Sequence, residues 1–252
     1  MTNAFISPDW PAPACVGAIA TTRSAGVSTA PYDSNNLALH VGDDSQKVES
    51  NRQGLAQACH WPQGPQWLEQ IHGVKVVAAQ SDGRVRTADG SFTRTRGLPC
   101  AVLTADCLPI LLCSEKGDEV AAVHAGWRSL ARGIVPRAVN RFNAKPQRLL
   151  AWLGPAIGPE YFEVGIDVLE AFFKNAQSDE HTDAIAAAMQ PGRKPMHFYA
   201  DLYALARAAL NACGVQQVYG GNFCTYRDSK RFYSYRRDGK HTGRMATAIW
   251  IK

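Results

Sequence analysis

Short apolar runs, recurring along almost the whole chain, restrict this sequence to a fold built around β-sheet. They lie at residues 16–21, 74–79, 101–104, 110–113, 120–123, 149–153, 216–219, 232–235 and 246–251 and are mostly four to seven residues long, which is strand length. Between them the apolar period changes to that of a helix. Residues 45–59 place Val48, Leu55 and Cys59 near one face, and residues 203–213 gather Leu205, Ala206, Ala209 and Leu210 ahead of Gly214 as a stop. Asp167 followed by Glu170 predicts a capping box that opens a helix over 168–174. A further helix is expected after Trp127, where Leu130, Ile134, Ala138 and Phe142 share a face; Pro136 then has to lie in a first turn or at a kink. Residues 176–195 read as a short surface helix followed by a loop. The alternation lacks a strict βαβ rhythm and several strands are close enough to pair as hairpins. That predicts an α/β fold with a mixed sheet rather than a doubly wound one.

Composition is compatible with one large core. The 252 residues are 46% hydrophobic and 19% charged, no internal repeat is visible, and Pro and Gly are spread too evenly to mark a linker. Residues 1–252 are therefore expected to form a single domain. The longest apolar segment, residues 101–113, is interrupted by Thr104, Asp106 and Pro109, whereas a membrane span needs about 20 apolar residues in a row. The first 15 residues hold three prolines and no basic segment, so they do not read as a signal peptide and a cytoplasmic location is expected. Seven cysteines, with no C-x-x-C pair, predict buried free thiols.

The net charge of +5 is unevenly placed, because residues 223–252 hold eight Lys or Arg against Asp228 and Asp238. Interleaved with Tyr226, Phe232, Tyr233 and Tyr235, this basic segment suits three uses. It could be a solvated face, a nucleic-acid surface whose affinity falls steeply with salt, or the lining of a pocket for one small anion.

Three segments end an apolar run with a residue that can bind a soft metal: Leu68 to Gly73 with His72, Thr104 to Pro109 with Cys107, and Ala121 to Trp127 with His124. Two imidazoles and one thiolate form a three-ligand zinc set with the fourth tetrahedral position open, as a catalytic zinc requires. The spacing does not decide the matter. Each histidine is equally readable as a core or surface residue and Cys107 as a small buried one. Cys107 could also be a nucleophile with His124 as its base, an arrangement that needs an Asp or Asn to orient the imidazole; the sequence nominates no obvious one.

The segments Thr21-Thr22-Arg23, Asn36 to Asp43, Gln70 to Gly73, Thr104 to Ile110, Val123 to Arg128, Leu153 to Gly158 and Thr225-Tyr226-Arg227 resemble the YfiH-like laccase-domain family. The resemblance runs from about Thr21 to the C-terminus. Members of that family are variously called polyphenol oxidases, peptidoglycan-editing factors and purine nucleoside phosphorylases. The resemblance implies a single-domain αββα-like sandwich and metal ligands at His72, Cys107 and His124. It also implies phosphorolysis of adenosine, inosine, guanosine and methylthioadenosine, together with deamination of adenosine.

Phosphorolysis requires an anionic nucleophile held near C1′, and guanidinium groups suit phosphate. Arg23, Arg236 and Arg244 are the candidates. Deamination requires a carboxyl group to carry a proton, for which Asp106 and Glu69 are candidates. Successive strand residues face opposite ways, so Asp106 and Cys107 can both reach the metal only if the chain bends between them. Asn36 and His40 either orient the nucleoside or hold the Gly42-Asp43-Asp44 turn. Copper could occupy the same ligands in place of zinc, but seven dispersed histidines without an H-x-H pair do not supply a multicopper site. A hydrolase acting on a cell-wall precursor would use the same metal or Cys107. The expected partners are thus purine nucleosides and phosphate, with neither a membrane nor nucleic acid, for a monomer or a homodimer.

Overall fold

A computed structural model describes residues 4–252. Two sheets stack face to face. One has the strand order Phe5–Ile6, Val16–Thr21, Met245–Ile251, Cys100–Thr104, all antiparallel. The other runs Gln217–Gly220, Leu149–Leu153, Leu108–Ser114, Val120–Ala125, Gly90–Thr93, Val76–Ala78 and is mixed, with parallel pairs at both edges.

Side-chain alternation along the strands builds the layers. Cys100 and Val102, Leu111 and Cys113, Val120 and Ala122, Leu150 and Trp152, and Ile249 and Ile251 meet between the two sheets. The intervening residues point outward on both sides. Ala101, Leu103, Ala246 and Ala248 pack with Leu55 of helix Ser45–Ala58. Ile110, Leu112, Ala121, Val123, Ala151 and Leu153 pack under helices Trp127–Ala131, Ile134–Val139, Ile166–Phe173 and Leu202–Ala212. Strands buried on both faces read as continuous apolar runs, which is why they stand out in the sequence. The result is the expected α/β mixed-sheet sandwich with an αββα layering.

Several local expectations change. Residues 232–235 are not a strand: Phe232 and Tyr233 are consecutive and both fully buried, and the chain then enters the one-turn helix Tyr235–Asp238, capped by Ser234. The loop expected before Pro195 contains Met189–Pro191, which with His197–Ala200 and Glu163–Gly165 makes a separate three-stranded sheet. Helix Ile166–Phe173 starts ahead of Asp167, with Gly165 as its N-cap and no side-chain capping bond. The helix after Trp127 breaks at Gly133, whose φ of 83° is easily adopted only without a side chain, and Pro136 falls in the first turn of Ile134–Val139, where proline is tolerated.

For function, the decisive feature is the crossing between the sheets. Strand Cys100–Thr104 belongs to one sheet and Leu108–Ser114 to the other, so the three residues Ala105, Asp106 and Cys107 carry the chain across. Asp106 takes the bend with φ of 90°, a conformation that Asp tolerates better than most residues.

Candidate metal centre

His72, Cys107 and His124 converge, each offering a ligand atom, with all these atoms within 4.8 Å of one another. Among the described residues they are the one such cluster of three or more metal-binding side chains. Three elements deliver them. Cys107 ends the crossing, and His124 lies in strand Val120–Ala125 opposite Pro109 of the next strand. His72 lies in the loop after Leu68–Glu69, with φ of 57°. The two imidazole rings meet edge to face with centroids 4.8 Å apart.

The side chain that organises this cluster is one that sequence reasoning missed. Asp89 is fully buried, and its carboxylate accepts from His124 Nδ1 at 2.9 Å, from the backbone N–H of His72 at 2.9 Å, and from those of Gly73 and Ile71 at 2.6 and 3.3 Å. Burial works against the ionised carboxylate, but these donors outweigh it and hold the Asp89 pKa below the usual range. Burial also opposes charge on His124. The Cys107 sulfur and the Asp89 carboxylate overcome it and push the imidazole up to about 9. His72 moves the other way, lowered by burial and then by the neighbouring His124.

The donor set fits a metal. With His124 Nδ1 committed to Asp89, its Nε2 is the nitrogen left to ligate. His72 Nδ1 is buried with no hydrogen-bond partner, which is costly for a polar atom unless something else satisfies it. Two nitrogens and one sulfur are a borderline-soft set suited to zinc and able to take copper. Gly126 leaves the space open: a Cβ there would stand 2.8 Å from His72 Nδ1 and 3.1 Å from Cys107 Sγ. Its φ of −57° is open to alanine, so Gly126→Ala is expected to keep its backbone, displace the His72 ring and bind a divalent metal at least about tenfold more weakly in a chelator competition.

The cluster lies in a cavity of about 480 Å³. Its walls carry Arg128, Arg236, Arg244 and His40 together with Trp127, Phe162 and Tyr235. Arg128 lies over the Trp127 ring at 4.3 Å, Arg236 over Phe162 at 5.4 Å and Arg244 over Tyr235 at 5.9 Å. Burial and the nearby Arg244 and Arg52 lower the His40 pKa, which favours the neutral imidazole. Asp106 also lines the cavity, but its oxygens accept from Thr225 Oγ1 at 2.6 Å, Ser234 Oγ at 3.0 Å and the Arg236 N–H at 2.7 Å.

Three sequence candidates lie elsewhere. Arg23 is not in the cavity wall; its guanidinium donates to the Asp33 and Ser229 carbonyls and to the Asp33 carboxylate. Glu69 is exposed and accepts from Thr87 Oγ1, because alternation turns Leu68 inward and Glu69 out. Asn36 is fully buried and its side chain makes four bonds, to both backbone groups of Ala38, to Asp43 and to the Arg244 N–H. It holds the turn and positions the backbone of Arg244 rather than touching the cavity. Arg128 lies in the Val123 to Arg128 motif but was not singled out there; only its place on the wall marks it.

Residues 17–252 match the model of a family described as multi-copper polyphenol oxidoreductase laccase. A purine nucleoside phosphorylase of Pseudomonas aeruginosa is 49% identical over 250 residues, spanning 99% of each chain. The purine nucleoside phosphorylase YfiH of Escherichia coli is 49% identical over 248 residues, spanning 98% of each. The crystal structure of a Neisseria meningitidis protein of family DUF152 superposes with a TM-score of 0.93 at 45% identity, covering 99% of this chain and 100% of that one.

Proposed function

This chain belongs to the multi-copper polyphenol oxidoreductase laccase family, and from that premise we propose that it is a zinc-dependent purine nucleoside phosphorylase that also deaminates adenosine. The observation that carries the proposal is one cavity in which three metal-binding side chains face several guanidinium groups. The phosphorylase activity for which the Pseudomonas and Escherichia relatives are named supports the same reading. His72, Cys107 and His124 would hold zinc, which would supply a Lewis acid inside the cavity.

The chain's own residues do the rest. Arg128, Arg236 and Arg244 give the cavity a positive wall for phosphate, while the one carboxylate on that wall, Asp106, is tied up by its three donors. Trp127, Phe162 and Tyr235 offer flat apolar faces for a purine. His40 lines the cavity and, held neutral, has one donor and one acceptor nitrogen for a ribose hydroxyl. Position supplies much of the rate: an anion and a nucleoside held in one cavity react as a single unit.

Arginine replacement tests the anion wall. Losing a charge-assisted hydrogen bond of about 1.5–3 kcal/mol corresponds to a rise of about 10- to 150-fold, so Arg244→Ala is expected to raise the KM for phosphate by that factor. Arg23→Ala should leave it unchanged and lower thermal stability instead. Phosphate-dependent release of hypoxanthine from inosine, followed by chromatography, reads both; a phosphate KM indifferent to Arg244 would remove it from the anion wall.

One observation favours a second reading. Cys107, His124 and Asp89 form a thiol, imidazole and carboxylate relay, the orienting acid that a cysteine hydrolase needs. Such a hydrolase could act on a cell-wall precursor. It leaves the unpartnered His72 Nδ1 unexplained, which is why the metal reading is preferred.

A further inference from the structure

We propose that Asp89 is the positioning residue that assembles the metal centre, one carboxylate fixing both histidine ligands at once. The inference rests on the metal reading of the site and is independent of which nucleoside is processed.

The two histidines come from elements that share no ladder. His124 is in a strand of the larger sheet, whereas His72 is in the irregular segment between strands Leu68–Glu69 and Val76–Ala78. Asp89 sits between them, immediately before strand Gly90–Thr93, whose first residue pairs with Val123. Its main chain grips the His124 strand, since the His124 N–H donates to the Asp89 carbonyl at 2.7 Å. Its side chain then does two further things. One oxygen accepts from His124 Nδ1 and from the His72 N–H, both at 2.9 Å. The other takes the Gly73 N–H at 2.6 Å and the Ile71 N–H at 3.3 Å. Three successive backbone donors thus wrap one carboxylate, which holds the His72 loop in a turn that includes a left-handed residue.

The loop has a second anchor that faces the other sheet. The Gln70 amide donates to the Leu103 carbonyl and accepts from the Leu103 N–H, both at 2.8 Å, as a strand neighbour would. Gln70 therefore ties the loop to the sheet whose strand leads to Cys107. Asp89 ties the same loop to the sheet that carries His124. A hydrogen bond to Nδ1 also selects the tautomer, leaving Nε2 of His124 for the metal, while His72 presents an Nδ1 that no protein group engages.

The test measures metal, not turnover. Purified parent protein and Asp89→Asn are stripped of metal, and zinc affinity is titrated against a chromophoric chelator. Outer-shell partners of ligating histidines typically change affinity by about 10- to 100-fold, and that is the weakening expected for Asp89→Asn. In a thermal melt the shift produced by zinc should shrink for the variant relative to the parent. A purely structural carboxylate would lower both melts equally and leave affinity within about twofold, which overturns the proposal. Nitrogen-15 NMR of the zinc-loaded parent needs no variant to fold. Nδ1 protonated and Nε2 ligated on His124 supports the assignment; Nδ1 ligated on that ring overturns it. A parent that takes up no zinc would sink the metal reading and this inference together, whereas zinc uptake without phosphorolysis would leave Asp89 in place and remove only the nucleoside reading.

Discussion

On the proposed reading, Cys107→Ala loses bound zinc and phosphorylase activity together, with metal content falling from near one ion per chain to background and kcat/KM falling by about a thousandfold or more. The size follows from what is removed. A Lewis acid contributes several kcal/mol of charge stabilisation, and each 1.4 kcal/mol or so is about tenfold in rate. The remaining pair, His72 and His124, offers two nitrogens where the intact set offers two nitrogens and a sulfur within 4.8 Å. Cys107 alone does not separate the two readings of the site, because a cysteine hydrolase would also die. His72→Ala does. A Cys107, His124 and Asp89 relay makes no use of His72, so the hydrolase reading keeps most of its turnover in that variant, whereas the metal reading predicts loss comparable to Cys107→Ala. Zinc by mass spectrometry and inosine turnover with and without phosphate, on the same preparations, provide both readouts. Full activity in His72→Ala with no bound metal would transfer the assignment to a thiol nucleophile.

Much of the fold was legible because its central strands are buried on both faces. The run 149–153 is apolar throughout and 246–251 is apolar apart from Thr247, and they appear as strands Leu149–Leu153 and Met245–Ile251 with little change at the ends. Where burial does not follow a strand pattern the reading failed. Phe232 and Tyr233 are neighbours and both fully buried, which no pleated strand with one solvated face would allow, and Tyr233 spends its hydroxyl on the Tyr32 carbonyl at 2.6 Å. The short pairings of Met189–Pro191 and Glu163–Gly165 carry too few apolar residues to signal themselves.

The site was legible in a different way. The histidines and cysteine stand 35 and 17 positions apart, a spacing that means nothing until strand pairing and the sheet crossing bring them together. Their places at the ends of three apolar runs nominated them as a ligand set, and the family resemblance then favoured that reading over ordinary buried residues. Asp89 lay outside every quoted motif, and its contacts with His72 and His124 span 17 and 35 residues. Arginines posed the opposite difficulty, since sequence supplies candidates without saying which are already occupied. Arg23 is consumed by Asp33 and Ser229, whereas Arg128, never singled out, lies on the cavity wall.

Asp106 carries the other large expected effect, and it falls on stability. Its side chain accepts from two hydroxyls and one backbone N–H, all contributed by residues 225–236 far along the chain, so it staples the basic C-terminal segment to the sheet crossing. In Asp106→Ala three largely buried donors lose their acceptor, each loss costing about 1–3 kcal/mol. Alanine also suits a φ of 90° less well than Asp does. Solvent entry and relaxation will recover part of this, and a net loss of about 3–5 kcal/mol is expected in urea unfolding, against a total stability of about 5–15 kcal/mol for a typical domain. Asp106→Asn keeps the shape and one acceptor oxygen but turns an amide N–H toward a donor, so it should fall between Ala and the parent. Because Arg236 and Tyr235 belong to the stapled segment, the destabilised variants should also bind phosphate more weakly. The same pair of variants tests the catalytic role considered for this carboxylate. If Asp106→Asn keeps its stability and its zinc yet loses adenosine deamination while retaining phosphorolysis, the carboxyl group carries a proton in the reaction; if stability and both activities decline together, it is the staple.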